Sequence, residues 1–94
     1  MKFIIQWQGQ PAVQQAAIER FMKTGGQPPQ NVTMLGRWHA VGELKGVAIV
    51  EAEDASALGA MLLEWSDLFT MSATPAATDE ELGATLAAAQ SQSK

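Results

Sequence analysis

The segment Gly36-Arg37-Trp38-His39 contains the side chains that could carry out chemistry in this chain. It holds the only histidine, one of the two arginines and one of the three tryptophans. An imidazole can act as a general base or a proton shuttle near neutral pH. A guanidinium can bind a carboxylate or an enolate oxygen. We therefore take His39 and Arg37 as candidate catalytic residues.

This segment lies near the end of a predicted strand that covers residues 32–40. Because side chains alternate along a strand, Arg37 and His39 share one face, while Gly36 and Trp38 share the other. Gly36 has no side chain, so a bulky group can approach the backbone there. The alternation alone does not say which face is buried.

The three tryptophans are candidate ligand-binding residues: Trp7, Trp38 and Trp65. Large aromatic rings can form the wall of a flat pocket, although they fill cores and interfaces more often. Met61 and Met71 fit gaps in a core, or would soften the lining of a ligand cavity.

Two carboxylates could support chemistry, depending on the fold. Asp67 would orient His39 if the two side chains came together as an acid–base pair, although capping or solvation explains Asp67 equally well. Glu51 would become a candidate base if it pointed into an apolar interior, because burial raises the pKa of a carboxyl group.

Composition excludes several kinds of site. There is no cysteine, so disulfides and thiolate metal sites are absent, and one histidine cannot form a histidine cluster. We therefore predict neither a bound metal nor a cofactor. Residues 1–50 carry five basic and two acidic side chains, whereas residues 51–94 carry one basic and eight acidic. With no basic run, nucleic acid is not an expected partner.

The apolar segments are all short. None approaches the roughly 18 residues of a membrane helix, and the first residues do not resemble a signal peptide. We expect no membrane partner and a cytoplasmic location.

The periodicity of the apolar residues predicts seven elements in the order β-α-β-β-α-β-α. They are strands at residues 3–8, 32–40, 47–52 and 68–73, and helices at 11–23, after Asp54 and after Thr78. Gly25-Gly26 ends the first helix, Asp54 is an N-cap, and Thr78 with Glu81 forms a capping box. Right-handed crossovers then give an α+β ferredoxin-like sandwich with two helices on one sheet face and an extra C-terminal helix.

We expect one domain over residues 1–94, with a βαββαβ core at 1–75, a helix at 76–90 and a frayed tail at 91–94. Both sheet faces should carry apolar residues, because Ile4 opposes Phe3 and Leu68 opposes Phe69 in their predicted strands. An uncovered apolar face needs a partner, so the sequence predicts a homodimer packed sheet against sheet.

The chain resembles a bacterial family of small domains of unknown function, grouped with the dimeric α/β-barrel proteins. The residues that carry the resemblance are the strand ending in Trp7, and the segments 18–21, 24–29, 35–39 and 64–68, with Gly-Arg-Trp-His as a signature. The resemblance implies a barrel formed by two facing sheets. The wider superfamily includes cofactor-independent monooxygenases, haem-degrading proteins, lactone isomerases and members without enzymatic activity, so it implies no single function.

Three functions follow as hypotheses. The first is a homodimer that binds a small, apolar or anionic molecule near Arg37, Trp38 and His39. The second is a cofactor-independent monooxygenase or isomerase in which His39 removes a proton and Arg37 stabilises the oxyanion. The third is a non-catalytic dimeric interaction module.

Overall fold

A computed structural model of the chain describes residues 1–92. Its elements are β1 (Lys2–Gln8), a 3-10 turn (Pro11–Val13), α1 (Gln14–Thr24), β2 (Val32–His39), β3 (Lys45–Ala52), α2 (Ala55–Trp65), β4 (Thr70–Ala76) and α3 (Asp79–Gln92). The strands form one antiparallel sheet in the order β2-β3-β1-β4. This confirms the predicted ferredoxin-like fold with a C-terminal helix.

The predicted helix boundaries form for the expected local reasons. Gly25 ends α1 in the left-handed conformation, with a φ of 70°, which glycine adopts without steric cost. The backbone N–H of Ala57 donates to Asp54 Oδ1 at 3.0 Å, so Asp54 caps α2. Glu81 N donates to Thr78 Oγ1 at 3.1 Å, and Thr78 N donates to Glu81 Oε1 at 2.9 Å, which completes the capping box.

The core lies between α2 and one face of the sheet, here called the helix-facing surface. Its buried side chains are Phe3, Ile5, Val32, Ala48, Val50, Ala52, Leu58 and Met61. In the strand register Phe3 pairs with Val50 and Ile5 pairs with Ala48, so the buried residues of β1 and β3 share this surface. The opposite surface, here called the open face, includes Ile4 and Ile49, which are also paired.

The prediction for the fourth strand was wrong in its position. We expected residues 68–73 with Pro75 as a stop, whereas β4 runs from Thr70 to Ala76 and includes Pro75. β4 is an edge strand, and an edge strand tolerates proline because the ring nitrogen can face the unpaired side. The open face of β4 carries Thr70, Ser72 and Thr74. Leu68, the apolar residue that we expected on this face, lies before the strand.

α1 is less buried than its apolar pattern predicted. The helical spacing of Val13, Ala17 and Phe21 in the sequence predicts a buried stripe, but only Ala17 is buried. Phe21 and Ile18 remain exposed, because a cavity separates much of this helix from the sheet.

α3 has no buried residue. The described chain is 56 Å long, and its radius of gyration of 16.2 Å exceeds the value of about 12 Å for a compact chain of this size. The helix continues to Gln92, two residues past its predicted end, so Ser91 and Gln92 of the predicted frayed tail are helical. The other two residues of that tail, 93–94, lie outside the described residues.

Candidate functional site

A β-bulge in β2 sets the direction of the candidate catalytic side chains. Met34 pairs with Val50 and Gly36 pairs with Ile49, so Leu35 between them has no partner in β3. One unpaired residue shifts the alternation of the strand by one position.

Beyond the bulge, Arg37 pairs with Ala48 and His39 pairs with Gly46, whereas Trp38 pairs with Val47. Ala48 belongs to the buried core, so Arg37 and His39 point to the helix-facing surface and Trp38 points to the open face. The predicted division of these three side chains between two faces is confirmed.

A cavity of about 350 Å³ lies on the helix-facing surface. Its apolar lining includes four aromatic residues, Trp7, Phe21, Trp65 and Phe69, and four of the five methionines, Met22, Met34, Met61 and Met71. Among the described residues, its polar and charged members are Arg37, His39, Glu43 and Lys45. The volume falls at the lower end of the range of about 300–1,000 Å³ for small-molecule sites.

His39 is exposed, and its imidazole contacts two aromatic rings. Its centroid lies 5.8 Å from that of Trp7 and 5.6 Å from that of Phe21, both in edge-to-face geometry. Within residues 1–92, neither ring nitrogen has a hydrogen-bond partner or an ion pair. The imidazole can therefore donate to or accept from a bound molecule without breaking an internal contact.

Arg37 binds the C-terminal end of α1. Its Nη1 donates to the carbonyl oxygen of Gly26 at 2.6 Å, and its Nη2 approaches that of Gly25 at 3.4 Å. The guanidinium carbon also lies 5.0 Å from the centre of the Phe21 ring. These contacts suit a cation at a helix C-terminus, and they leave Arg37 without a carboxylate partner among the described residues.

The remaining charged residues of the cavity neutralise each other. Lys45 Nζ lies 3.3 Å from Glu43 Oε2. Both side chains are about half exposed at the rim, where such a pair contributes little to stability.

The structure brings together four of the five predicted site residues and separates the fifth. Trp7 and Trp65 line the same cavity as Arg37 and His39. Trp38 is 61% exposed on the open face. A Cβ built on Gly36 would lie 2.5 Å from the Trp38 ring, so the indole packs over this glycine.

Asp67 does not orient His39. Its two carboxylate oxygens accept hydrogen bonds from Arg20 at 2.7 Å each, and Arg20 Nη1 also donates to the Glu64 carbonyl oxygen at 2.8 Å. The hydrogen bonds from Arg20 hold the pKa of the Asp67 carboxyl below its usual range. Asp67 therefore joins α1 to the segment after α2.

Glu51 is not a buried base. It pairs with Thr33 in β2 and Lys2 in β1, on the open face. Its carboxylate contacts the amino group of Met1, and Lys2 Nζ lies 3.3 Å away. The hydrogen bond from the amino group, followed by that from Lys2, lowers the pKa of Glu51, which is the reverse of the shift that a buried base would need.

Sequence reasoning missed part of the cavity lining. Phe21 and Met22 were assigned to the packed side of a helix and Phe69 to a strand, while Met34 was given no role. The available signal was the high proportion of methionine among the apolar residues that face the sheet, because methionine adapts to irregular spaces.

No three histidine, aspartate or glutamate side chains of residues 1–92 come together as possible metal ligands. In the same part of the chain, no helix has the length and apolar character needed to cross a membrane.

Residues 1–90 match the model of a family described as a domain of unknown function, DUF3303. The chain belongs to the DUF3303 family. No curated protein matches it. In this DUF3303 domain the family match covers the whole sheet, the cavity and most of α3.

Proposed function

We propose that this DUF3303 domain is a homodimer that binds a small, largely apolar molecule in the cavity between α1 and the sheet. The observation that carries the proposal is an apolar cavity of about 350 Å³, on whose wall lies an imidazole with no hydrogen-bond partner within residues 1–92. Binding sites for small molecules combine an apolar lining with a few polar groups that fix orientation, and His39 provides such a group here.

The state of α1 supports a ligand rather than a closed core. Phe21 and Ile18 line the cavity and are still exposed, although interiors are normally packed as densely as organic crystals. A bound molecule would cover these side chains and would contact α1 where the sheet does not.

The open face supports a second copy as the dimer partner. Val47 and Ile49 of β3 and Ile4 of β1 form an apolar centre on the two middle strands, and Trp38 extends it onto the edge strand β2. Polar residues of β4 and the Lys2–Glu51 pair lie around it. An apolar centre with a polar rim is typical of interfaces between proteins. Lys2 and Glu51 balance each other in charge, so two copies related by a two-fold axis would not repel there.

Binding has more support than catalysis. A monooxygenase or isomerase would use His39 with an orienting carboxylate and Arg37 as oxyanion donor, but Asp67 is bound to Arg20 and two donors of Arg37 bind carbonyl oxygens. An interaction module would have no use for the cavity, so a test of ligand binding separates it from the leading proposal. The lack of cysteine supports a cytoplasmic location.

Thermal unfolding in the presence of apolar probes tests the proposal. The probes are 8-anilinonaphthalene-1-sulfonate and a panel of one- and two-ring compounds, each with and without a hydroxyl or carboxyl group. We expect the melting temperature to rise with probe concentration, because a ligand that binds only the native state stabilises it.

The same titrations on two variants locate the site. His39→Ala should weaken the rise in melting temperature, and Met34→Trp should abolish it by filling the cavity. Val41→Ala, at a fully exposed turn position, is the control and should respond as the wild type does. If no probe stabilises the wild type, or if all variants respond equally, the proposal is wrong.

A further inference from the structure

We propose that the cavity binds a planar aromatic acid, whose ring lies among the aromatic and methionine side chains and whose carboxylate meets Arg37 and His39. The inference rests on the proposed function and names the class of ligand that this site would take. Three features support it: the aromatic and methionine side chains of the wall, the polar groups of Arg37 and His39, and the volume of the cavity.

The wall favours an aromatic ring over an aliphatic chain. Four aromatic side chains and four methionines line the cavity. Aromatic pairs in edge-to-face or offset geometry are more stable than their buried area alone predicts, and thioether sulfurs make favourable contacts with ring edges. His39 already meets Trp7 and Phe21 edge to face, so this wall presents ring faces and ring edges together.

The polar edge favours an anion. Arg37 has no carboxylate partner within residues 1–92, and its guanidinium retains N–H donors beyond the two that bind Gly25 and Gly26. His39 lies two residues further along the same strand face, about 7 Å away. The other charged residues of the lining, Glu43 and Lys45, pair with each other. A carboxylate would therefore compensate the charge of Arg37, which has no ion pair within residues 1–92.

The size of the cavity favours a short ligand. A volume of about 350 Å³ is small among ligand sites, so a fused two-ring acid fits the space better than an extended fatty acid. We therefore choose 2-naphthoate as the probe for the experiment.

Calorimetric titration with three matched probes tests each part of the inference. The probes are 2-naphthoate, the neutral 2-naphthalenemethanol and the saturated decahydro-2-naphthoate. We expect 2-naphthoate to bind at least about tenfold more tightly than either of the others, since it alone keeps both the charge-assisted hydrogen bond and the ring contacts. Equal binding of the alcohol would overturn the anionic part, and equal binding of the saturated acid would overturn the aromatic part.

Failure of this inference can be told apart from failure of the proposed function. If other apolar probes stabilise the protein through the cavity while 2-naphthoate does not bind, the aromatic acid is wrong and the binding function stands. If no apolar probe binds, both are wrong.

Charge variants at the cavity edge provide the second measurement. Arg37→Gln should weaken 2-naphthoate binding about tenfold or more and leave 2-naphthalenemethanol unaffected, whereas Arg37→Lys should retain much of the affinity. Lys23→Gln removes the same charge from an exposed position of α1 outside the cavity lining, so it should change neither.

If Arg37→Gln does not fold, the salt dependence of probe binding to the wild-type protein tests the same contact. Raising the ionic strength from about 0.01 to about 1 M shortens the screening length from about 30 to about 3 Å. This change should weaken 2-naphthoate binding to the wild type and not that of the alcohol. Identical salt responses of the two probes would contradict a carboxylate at Arg37.

Discussion

Gly46 makes the contact between Trp7 and His39 possible. In the sheet it pairs with His39 on one side and with Trp7 on the other. A Cβ at this position would overlap the Trp7 indole and would lie 2.6 Å from the Trp38 carbonyl oxygen. Because residue 46 has no side chain, the two rings meet across β3 and form one side of the cavity.

Gly46→Ala should therefore destabilise the protein. We expect a loss of about 1–3 kcal/mol in the free energy of unfolding, since the added methyl group must displace the indole and then the backbone. Urea unfolding measures the loss, and a shift in tryptophan emission should accompany it.

Gly59→Ala is the matched control for this substitution. Gly59 lies inside α2 with nothing within 4 Å of a built Cβ, so alanine should stabilise the helix by about 0.5–1 kcal/mol. Equal stability of Gly46→Ala and the wild type would show that the Trp7 contact does not depend on the glycine.

The faces of single residues were partly predictable from the sequence. Strand alternation correctly separated Arg37 and His39 from Trp38, because it needs only local geometry. The partner of Arg37 was not predictable. Every residue has a backbone carbonyl, so the residue types do not show which carbonyl Arg37 binds. Asp67 was considered for His39, but only the fold shows that Arg20 lies closer.

At the scale of elements, α1 is held to the rest of the domain by two arginines. Arg20 binds Asp67 and the Glu64 carbonyl after α2, and Arg37 joins the end of α1 to β2. Only Ala17 of the helix is buried. Polar contacts thus supply a large part of the attachment of α1.

Asp67→Asn should remove the pH dependence that this attachment contributes. The pKa of Asp67 is lower in the folded state than its usual value, so its contribution to stability is fully present above about pH 4. That contribution is lost as the pH falls through the folded pKa. Urea unfolding should find the variant less stable than the wild type at pH 7, with the difference shrinking towards pH 3.

Glu53→Gln is the control, because Glu53 is an exposed carboxylate with no hydrogen bond or ion pair among the described residues. Its stability should follow that of the wild type at both pH values. A difference for Asp67→Asn that stays constant with pH would contradict the role of the charged pair.

α3 depends on its own sequence rather than on packing. None of its residues is buried, and its first turn is held by the Thr78–Glu81 capping box. Thr78→Ala should destabilise this helix by about 1 kcal/mol, which circular dichroism at 222 nm would show as lost helicity.

The same substitution should leave the unfolding midpoint of the sheet unchanged, because α3 buries nothing against it. Thr74→Ala on the open face of β4 is the control and should keep full helicity. A cooperative fall in the stability of the sheet on loss of the cap would show that α3 contributes to the core.

Element order was predictable because caps and apolar periods are local signals. The start of β4 was not, since Leu68 and Phe69 continue an apolar run that in the fold lies before the strand. The strand passes through Pro75 only because β4 is at an edge, which is a property of the assembled sheet. The exposure of α1 was also not predictable, because the spacing of its apolar residues does not distinguish a helix packed on the sheet from one that borders a cavity.

For the whole molecule, the homodimer remains a prediction with a direct test. Light scattering should give about twice the chain mass of 10.0 kDa. Trp38→Glu should give the single-chain mass, because it places a charge in the apolar patch of the open face, where the proposed dimer would bury it unpaired at high cost.

Val41→Glu introduces the same charge at a fully exposed turn position and should leave the dimer intact. A wild-type mass of one chain at high protein concentration would contradict the dimer. The same mass for Trp38→Glu and the wild type would place the interface elsewhere.

The unpaired Leu35 has a consequence for every position that follows it in β2. Counting from the buried Val32 in strict alternation would turn Arg37 and His39 outward and Trp38 inward. The bulge reverses this parity. In a natural variant without the bulge, residues 36–39 would each pair one position further along β3, and their side chains would exchange faces. The Trp38 indole would then lie inside the cavity, and Arg37 and His39 would lie on the open face. One extra residue in β2 thus decides which of these side chains lie on the helix-facing surface and which lie on the open face.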